Sequence, residues 1–302
     1  VEGYTSFLWV LIMSLPHFIH FGVLSFSKVL GIISMIGTMF WMVFFLWHID
    51  PSFEKKIRLF SIGIVSLFWG FLPETAVHAI SGMETATYTF LFTGFVVLSC
   101  LSITFQESLS KFLPLMALLC GLMRPESNLV SILFLGIVIF QNGVNKRLIR
   151  NTLLYYFLPG LLYFIWRWNY FGVLFPLPFY IKTGIHELPG LEIVGPFVIF
   201  LFTNLGLYLG IGLMDEKRSV HLARLSIGVY LFVFLFFHPI MNYDFRFLFP
   251  ILPMSLVLAG TGIMILLDRF KTISGSIKWL QSYEFWIPFF IILVGRLARV
   301  YP

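Results

Sequence analysis

The run TATYTFLFTGFVVLSCLSITF, from Thr85 to Phe105, holds no charged residue in 21 positions. A helix needs about 20 consecutive apolar residues to cross the hydrocarbon core of a bilayer. The runs Val29 to Trp47, Ile193 to Leu213 and Phe247 to Leu267 are equally free of charge. None alternates apolar with polar residues, as a barrel strand would. In lipid each backbone N–H and C=O must be bonded within its own segment, so such runs are helices.

Composition agrees with this reading. Of 302 residues, 59% are hydrophobic and 19% aromatic, while only 11% are charged, against about 25% in an ordinary soluble domain. The predicted fold is therefore all-α, one polytopic transmembrane helical domain over residues 1–302 with roughly eight to ten membrane segments. The net charge of +6 sits in short clusters between apolar runs, the pattern of the positive-inside bias. No basic stripe interleaved with aromatics marks a nucleic-acid surface. Cys100 and Cys120 fall within apolar runs and read as small buried hydrophobes.

Four clusters set the expected topology: Lys55, Lys56 and Arg58; Lys146, Arg147 and Arg150; Lys217, Arg218 and Arg224; Arg269, Lys271 and Lys278. With these and Lys111 in the cytoplasm, the apolar segments alternate outward and inward. Phe112 to Met123 and Asn128 to Phe140 are each short of a full span and read as a shallow hairpin or a tilted pair. Pro16, His17 and His20 weaken a crossing by Phe7 to Ile19, which reads as a short or re-entrant helix. The chain opens without a basic n-region, and its first residues read like the middle of a loop, so an upstream segment is expected.

Four stretches are left on the outer side: Pro73 to Glu84, Arg124 to Ser127, Asn169 to Glu192 and His238 to Arg246. They gather Glu74, His78, Glu84, Arg124, Glu126, Lys182, His186, Glu187, Asp244 and Arg246. Two readings stand: a site on this face, or loops that hold whatever polar residues the protein has. Ser81-Gly82-Met83-Glu84 before an apolar run is the capping-box pattern, and the same helix end suits an anionic or sugar ligand. Arg124-Pro125-Glu126-Ser127 reads as a second helix start. Arg124 itself needs a carboxylate or phosphate partner at that depth, with Glu74 and Glu84 the nearest candidates in kind. The proline-broken stretch Tyr170 to Gly184 reads as lying along the outer interface, presenting Lys182 to a phosphate or simply snorkelling. Asp244 and Arg246 read as either site residues or a local ion pair at the head groups. The seven histidines are scattered, and no metal-binding pair of histidines at helical spacing, Asp-x-Asp, Gly-rich phosphate loop or nucleophile elbow is present.

In order and spacing, VEGYTSFLW (1–9), SGMETA (81–86), RPES (124–127), YFGVLFPLPFYIKTG (170–184) and DFRFLFPILP (244–253) together resemble elements of the GT-C superfamily of polytopic glycosyltransferases. The likeness is greatest to the bacterial branch related to the terminal arabinofuranosyltransferase. Leu177-Pro178 departs from that pattern, which has Pro-Asn-Thr there. The resemblance implies a GT-C-like bundle in a bacterial cytoplasmic membrane, its site facing outward. It implies transfer, with inversion, of a sugar from a polyprenyl-phosphate donor to a glycan, lipid or protein acceptor. On that view Lys182, Arg246 and Arg124 bind the donor phosphate, and Glu84, Glu126, Asp244 and His78 bind sugar hydroxyls or orient the cations. The family's general base sits in a first outer loop that would precede Val1, so the first helix and first outer loop are expected outside residues 1–302. No cofactor or metal is specified. A transporter or flippase for a lipid-linked sugar and a non-catalytic assembly subunit are the alternatives.

Overall fold

The computed structural model describes residues 6–18, 20–103, 111–143, 145–174, 190–215, 218–236 and 242–274. The fold is all-helical. The helices are α1 (Phe7–Phe18), α2 (Val23–His48), α3 (Lys55–Phe71), α4 (Pro73–Ile80), α5 (Thr85–Ser102), α6 (Phe112–Met123) and α7 (Ser127–Gln141). They continue with α8 (Lys146–Thr152), α9 (Leu158–Phe171), α10 (Leu191–Leu213), α11 (Arg218–Phe234) and α12 (Leu252–Ser274). A π-helical turn, Leu153–Phe157, joins α8 to α9.

Among the described residues five segments are long and apolar enough to cross a membrane: Val23–His48, Thr85–Ser102, Lys146–Phe171, Leu191–Leu213 and Phe249–Lys271. A sixth is available if α3 and α4, bent by 56° at Leu72, count as one broken span. That is fewer than the eight to ten expected from length alone. The difference lies in α1, α6, α7 and α11, apolar helices of 10–17 residues that fall below the length of a full span. The architecture is compatible with a multi-pass membrane protein.

The centre is α5, which is almost wholly buried and packed by α2, α6, α7 and α11. Three of its hydroxyls bond backbone close by in the chain: Thr89 Oγ1 donates to the Thr85 carbonyl (2.7 Å), Ser99 Oγ to that of Phe95 (2.8 Å) and Ser102 Oγ to that of Ser99 (2.8 Å). Ser34 of α2 reaches across to Thr87 (3.1 Å). Where α4 crosses α2, Gly31 faces the backbone of Ala79 so closely that a Cβ would collide with its carbonyl. That contact seats α4 against the bundle.

Described members of the basic clusters collect at one end. Lys271 Nζ bonds Glu54 Oε2 at 2.8 Å, and Arg58 donates to the Trp47 carbonyl (3.0 Å) with its guanidinium over the Trp47 ring. Arg224 donates to the Leu213 (2.6 Å) and Asp215 carbonyls. Asn142 at the end of α7 reaches the Ser102 carbonyl at the end of α5 (3.4 Å). At the opposite end Gly190 donates to the Leu235 carbonyl (3.0 Å), Trp69 packs on Phe249, and Glu84, Arg124 and Arg246 meet. This segregation follows the alternation read from the clusters. Phe7 packs on Tyr163 and Trp166 in the middle of α9, and the start of α2 lies beside Gly82.

Asp244 and Lys146 are both exposed and at opposite ends, while Cys100 and Cys120 are buried. Single cysteines at these two positions should be separable in intact cells by an impermeant thiol reagent: Asp244→Cys labels, and Lys146→Cys labels only after permeabilisation. Labelling of both in sealed cells would overturn the topology.

Candidate functional site

The site forms where the start of α5, the α6–α7 turn and the turn before α12 converge. Glu84 is the residue before the first turn of α5. The capping-box reading predicts that its carboxylate turns back to a free amide, yet it makes no cap bond. Two guanidiniums have taken it instead. Arg124 Nη2 donates to Oε1 at 3.0 Å, and Arg246 Nη2 donates to Oε1 and Oε2 at 2.8 and 3.0 Å. Both arginines also reach Thr85 Oγ1, each at 3.3 Å. Ser81 keeps part of the expected role, its Oγ accepting from the Met83 amide (3.3 Å) and donating to the His78 carbonyl (3.1 Å).

All three charges are buried, with Glu84 6%, Arg124 3% and Arg246 7% exposed. Arg124 ends α6 in extended geometry, its amide bonded to the Cys120 carbonyl and its own carbonyl accepting from Ser127 Oγ (2.7 Å). The side chain is thereby pointed inward, where it stacks on Tyr88 (4.8 Å) and lies near Phe247 (5.9 Å). Its Nη1 makes no bond to a carboxylate, and the buried hydroxyls of Tyr88 and Tyr230 lie beside the guanidinium. Glu126, partly buried at the start of α7, is close enough to act on the Arg124 charge.

Arg246 carries two readings, a site residue at the donor phosphate or a local ion pair with Asp244 at the head groups. It turns inward because the chain before it is forced into left-handed geometry: Asp244 has φ 46° and Phe245 φ 57°, conformations that non-glycine residues adopt at a cost. Three contacts hold that turn. His78 donates from Nε2 to the Asp244 carbonyl (2.9 Å), Phe247 N–H donates to Asn242 Oδ1 (3.1 Å), and Phe245 packs on Phe197 and Phe200. The Asp244 side chain is left exposed.

Of the seven residues singled out from the sequence, Glu84, Arg124 and Arg246 are in direct contact, and His78 braces them through Asp244. Glu126 stands at the edge, and Lys182 lies outside the described residues, as does most of the stretch Tyr170 to Gly184. Sequence reasoning missed Tyr88 and Tyr230, which look like any tyrosine in an apolar run. It also missed Arg167, buried in α9 and donating to the Leu174 carbonyl (2.7 Å). A lone arginine in IWRWNYF was the available signal. Among the described residues no group of three or more His, Cys, Asp or Glu could hold a metal ion. Compared with family models, with curated proteins and with solved structures, the chain finds no match in any of the three.

Burial alone would raise the Glu84 carboxyl. The fields of Arg124 and then Arg246, with the Arg246 hydrogen bonds, override it and hold the group well below the usual carboxylate range. A depressed carboxylate contributes stability that is complete above its unfolded value, about 4.3, and is lost as pH falls through the lower folded value. The melting temperature should therefore show no loss from this group between pH 7 and pH 5, with the decline beginning only below the ordinary glutamate range. Glu84→Gln should cost about 3–5 kcal/mol at neutral pH, because it leaves two buried cations unpaired. In an Arg124→Met background the same change should cost at least ~1 kcal/mol less, as read by thermal unfolding in detergent. Additive costs would show that the three charges do not act as one cluster.

Proposed function

We propose that the protein is a membrane glycosyltransferase of the GT-C type that takes a sugar from a polyprenyl-phosphate donor and passes it, with inversion, to an acceptor hydroxyl at the outer face of a bacterial cytoplasmic membrane. The observation that carries the reading is the cationic excess of the buried cluster: two guanidiniums share one carboxylate. An oxyanion beside it would meet donors already fixed in place, the arrangement that stabilises charge developing on a leaving phosphate. The cluster lies at the end of the bundle opposite the basic clusters, level with the termini of apolar helices. A lipid-linked phosphate would present its head group at that level.

In this mechanism the bond from the anomeric carbon to the phosphate oxygen breaks, the electron pair leaving with the phosphate toward Arg124 and Arg246. Glu84 holds the two guanidiniums in register rather than reacting. Lys182, from the motif Tyr170 to Gly184, adds a third cation, and Glu126 and Asp244 orient sugar hydroxyls. The acceptor oxygen bonds to the opposite face of the anomeric carbon, which gives inversion.

The test uses the full protein in vesicles with a farnesyl-phosphoryl sugar labelled in the sugar and an octyl glycoside as acceptor. The expected result is labelled octyl disaccharide with release of farnesyl phosphate. Arg246→Met should lower the rate by about 10²–10³, and Lys182→Ala should chiefly weaken donor binding. Movement of intact labelled donor between leaflets without new glycoside would support a flippase and reject the reading.

A further inference from the structure

The surface of α7 turned away from the bundle carries two hollows. One, of about 310 Å³, lies between α7 and α11, with Ile137, Gln141, His221 and Leu225 among its walls. The other, of about 530 Å³, runs along α7, with Leu133, Gly136, Ile137, Phe140 and Gln141 among its walls. Ile137 and Gln141 belong to both, so the hollows lie side by side. Gly136 opens the second, since a Cβ built there meets no atom within 4 Å. Leu133, Phe140 and Leu225 are exposed, and in a bilayer their surroundings are hydrocarbon.

Both hollows reach Gln141, the last residue of α7, at the basic end of the bundle. Gly143, with φ 69°, turns the chain there, and α8 begins at Lys146 behind its cap Asn145. Lys146, Arg147 and Arg150 are exposed, and none makes an ion pair with a described residue. The chain holds no Asp or Glu between Glu126 and Glu187, and at this end Glu54 is held by Lys271 and Asp50 by Ser52. Three cations beside an apolar groove, with no carboxylate, are complemented by an anion that carries hydrocarbon. The length of α7 adds to this. Its 15 residues make about 22 Å of helix against about 30 Å of hydrocarbon, so a lipid beside it has its head group drawn inward, toward Gln141 and the start of α8. A second copy of the chain, docked symmetrically on this face, would bring its own three cations to the same place. A zwitterionic lipid would also bring a cation.

We propose that the groove of α7 and α11 binds an anionic phospholipid of the leaflet at the basic end, its two acyl chains in the two hollows on either side of Ile137 and its phosphate against Lys146, Arg147 and Arg150. The chains run from the head group at Gln141 toward the middle of the membrane, the direction in which the second hollow follows α7. The site lies at the opposite end of the bundle from the Glu84 cluster and is independent of the glycosyl-transfer reading.

The experiment places the full protein in phosphatidylcholine vesicles with a trace of phosphatidylglycerol that carries a diazirine on one acyl chain, and in a parallel sample the same probe built on phosphatidylcholine. After irradiation the adducts are mapped by mass spectrometry. Adducts on 132–141 and 221–225 should be about fivefold or more abundant with the phosphatidylglycerol probe, the advantage of engaging one surface cation. Lys146→Gln with Arg147→Gln, both exposed, should remove most of that excess. Gly136→Leu fills the second hollow where space is open and suits a helix better than glycine; it should clear the adducts from 132–141 and leave those on other apolar faces. Equal labelling by the two probes in the unaltered protein would overturn the site, as would an excess that survives loss of the two cations. Displacement of the phosphatidylglycerol probe by farnesyl phosphate but not by unlabelled phosphatidylglycerol, or cross-links between two copies through α7, would each give the groove to another occupant and overturn it.

Discussion

Two guanidiniums sharing the carboxylate of Glu84 is the constraint on which the polar end of the bundle depends. None of the three charges could be buried alone. Removing a charge from water costs several kcal/mol even after relaxation, and only close opposite charge and hydrogen bonds offset it. Bringing them together dictates much of the surrounding geometry. Thr85 must follow Glu84 so that its hydroxyl accepts from both arginines. The α6–α7 turn must break at Arg124, and the chain must pass through left-handed geometry at Asp244 and Phe245 to aim Arg246 inward. Local backbone preference is overruled at each of these points by the electrostatics of one buried cluster.

Further polar groups lie on both sides of this cluster. On the α5 and α11 side the Tyr88 and Tyr230 hydroxyls lie beside Arg124, and on the α4 side Glu74, Thr75 and His78 carry buried polar atoms. The ion cluster lies between them, and His78 is tied to it through the Asp244 backbone. The close approach of α4 to α2 at Gly31 seats that helix beside the cluster.

Much of the architecture was legible in the chain. Uncharged runs of membrane length, such as Thr85 to Phe105, require helices because lipid offers the backbone no other partner. The four basic clusters imply their shared end, and the same alternation collects Glu84, Arg124 and Arg246 at the other. Arg124 was recognisable as a charge that needs a partner, and Glu84 was one of two carboxylates named for it. These inferences succeed because hydropathy, charge placement and helix length act locally along the sequence.

What tertiary structure alone decided is which groups meet. Ser81 to Glu84 satisfies the capping pattern, but a carboxylate facing two arginines in an apolar interior gains more there than at a helix amide, and no local rule weighs those choices. Arg246 reads equally as a site residue or as a head-group ion pair until the left-handed turn before it is known. Arg167, Tyr88 and Tyr230 sit in apolar runs whose composition does not say which side is buried. Burial and partnership are properties of chain segments far apart in sequence, and they exist only once those segments are packed.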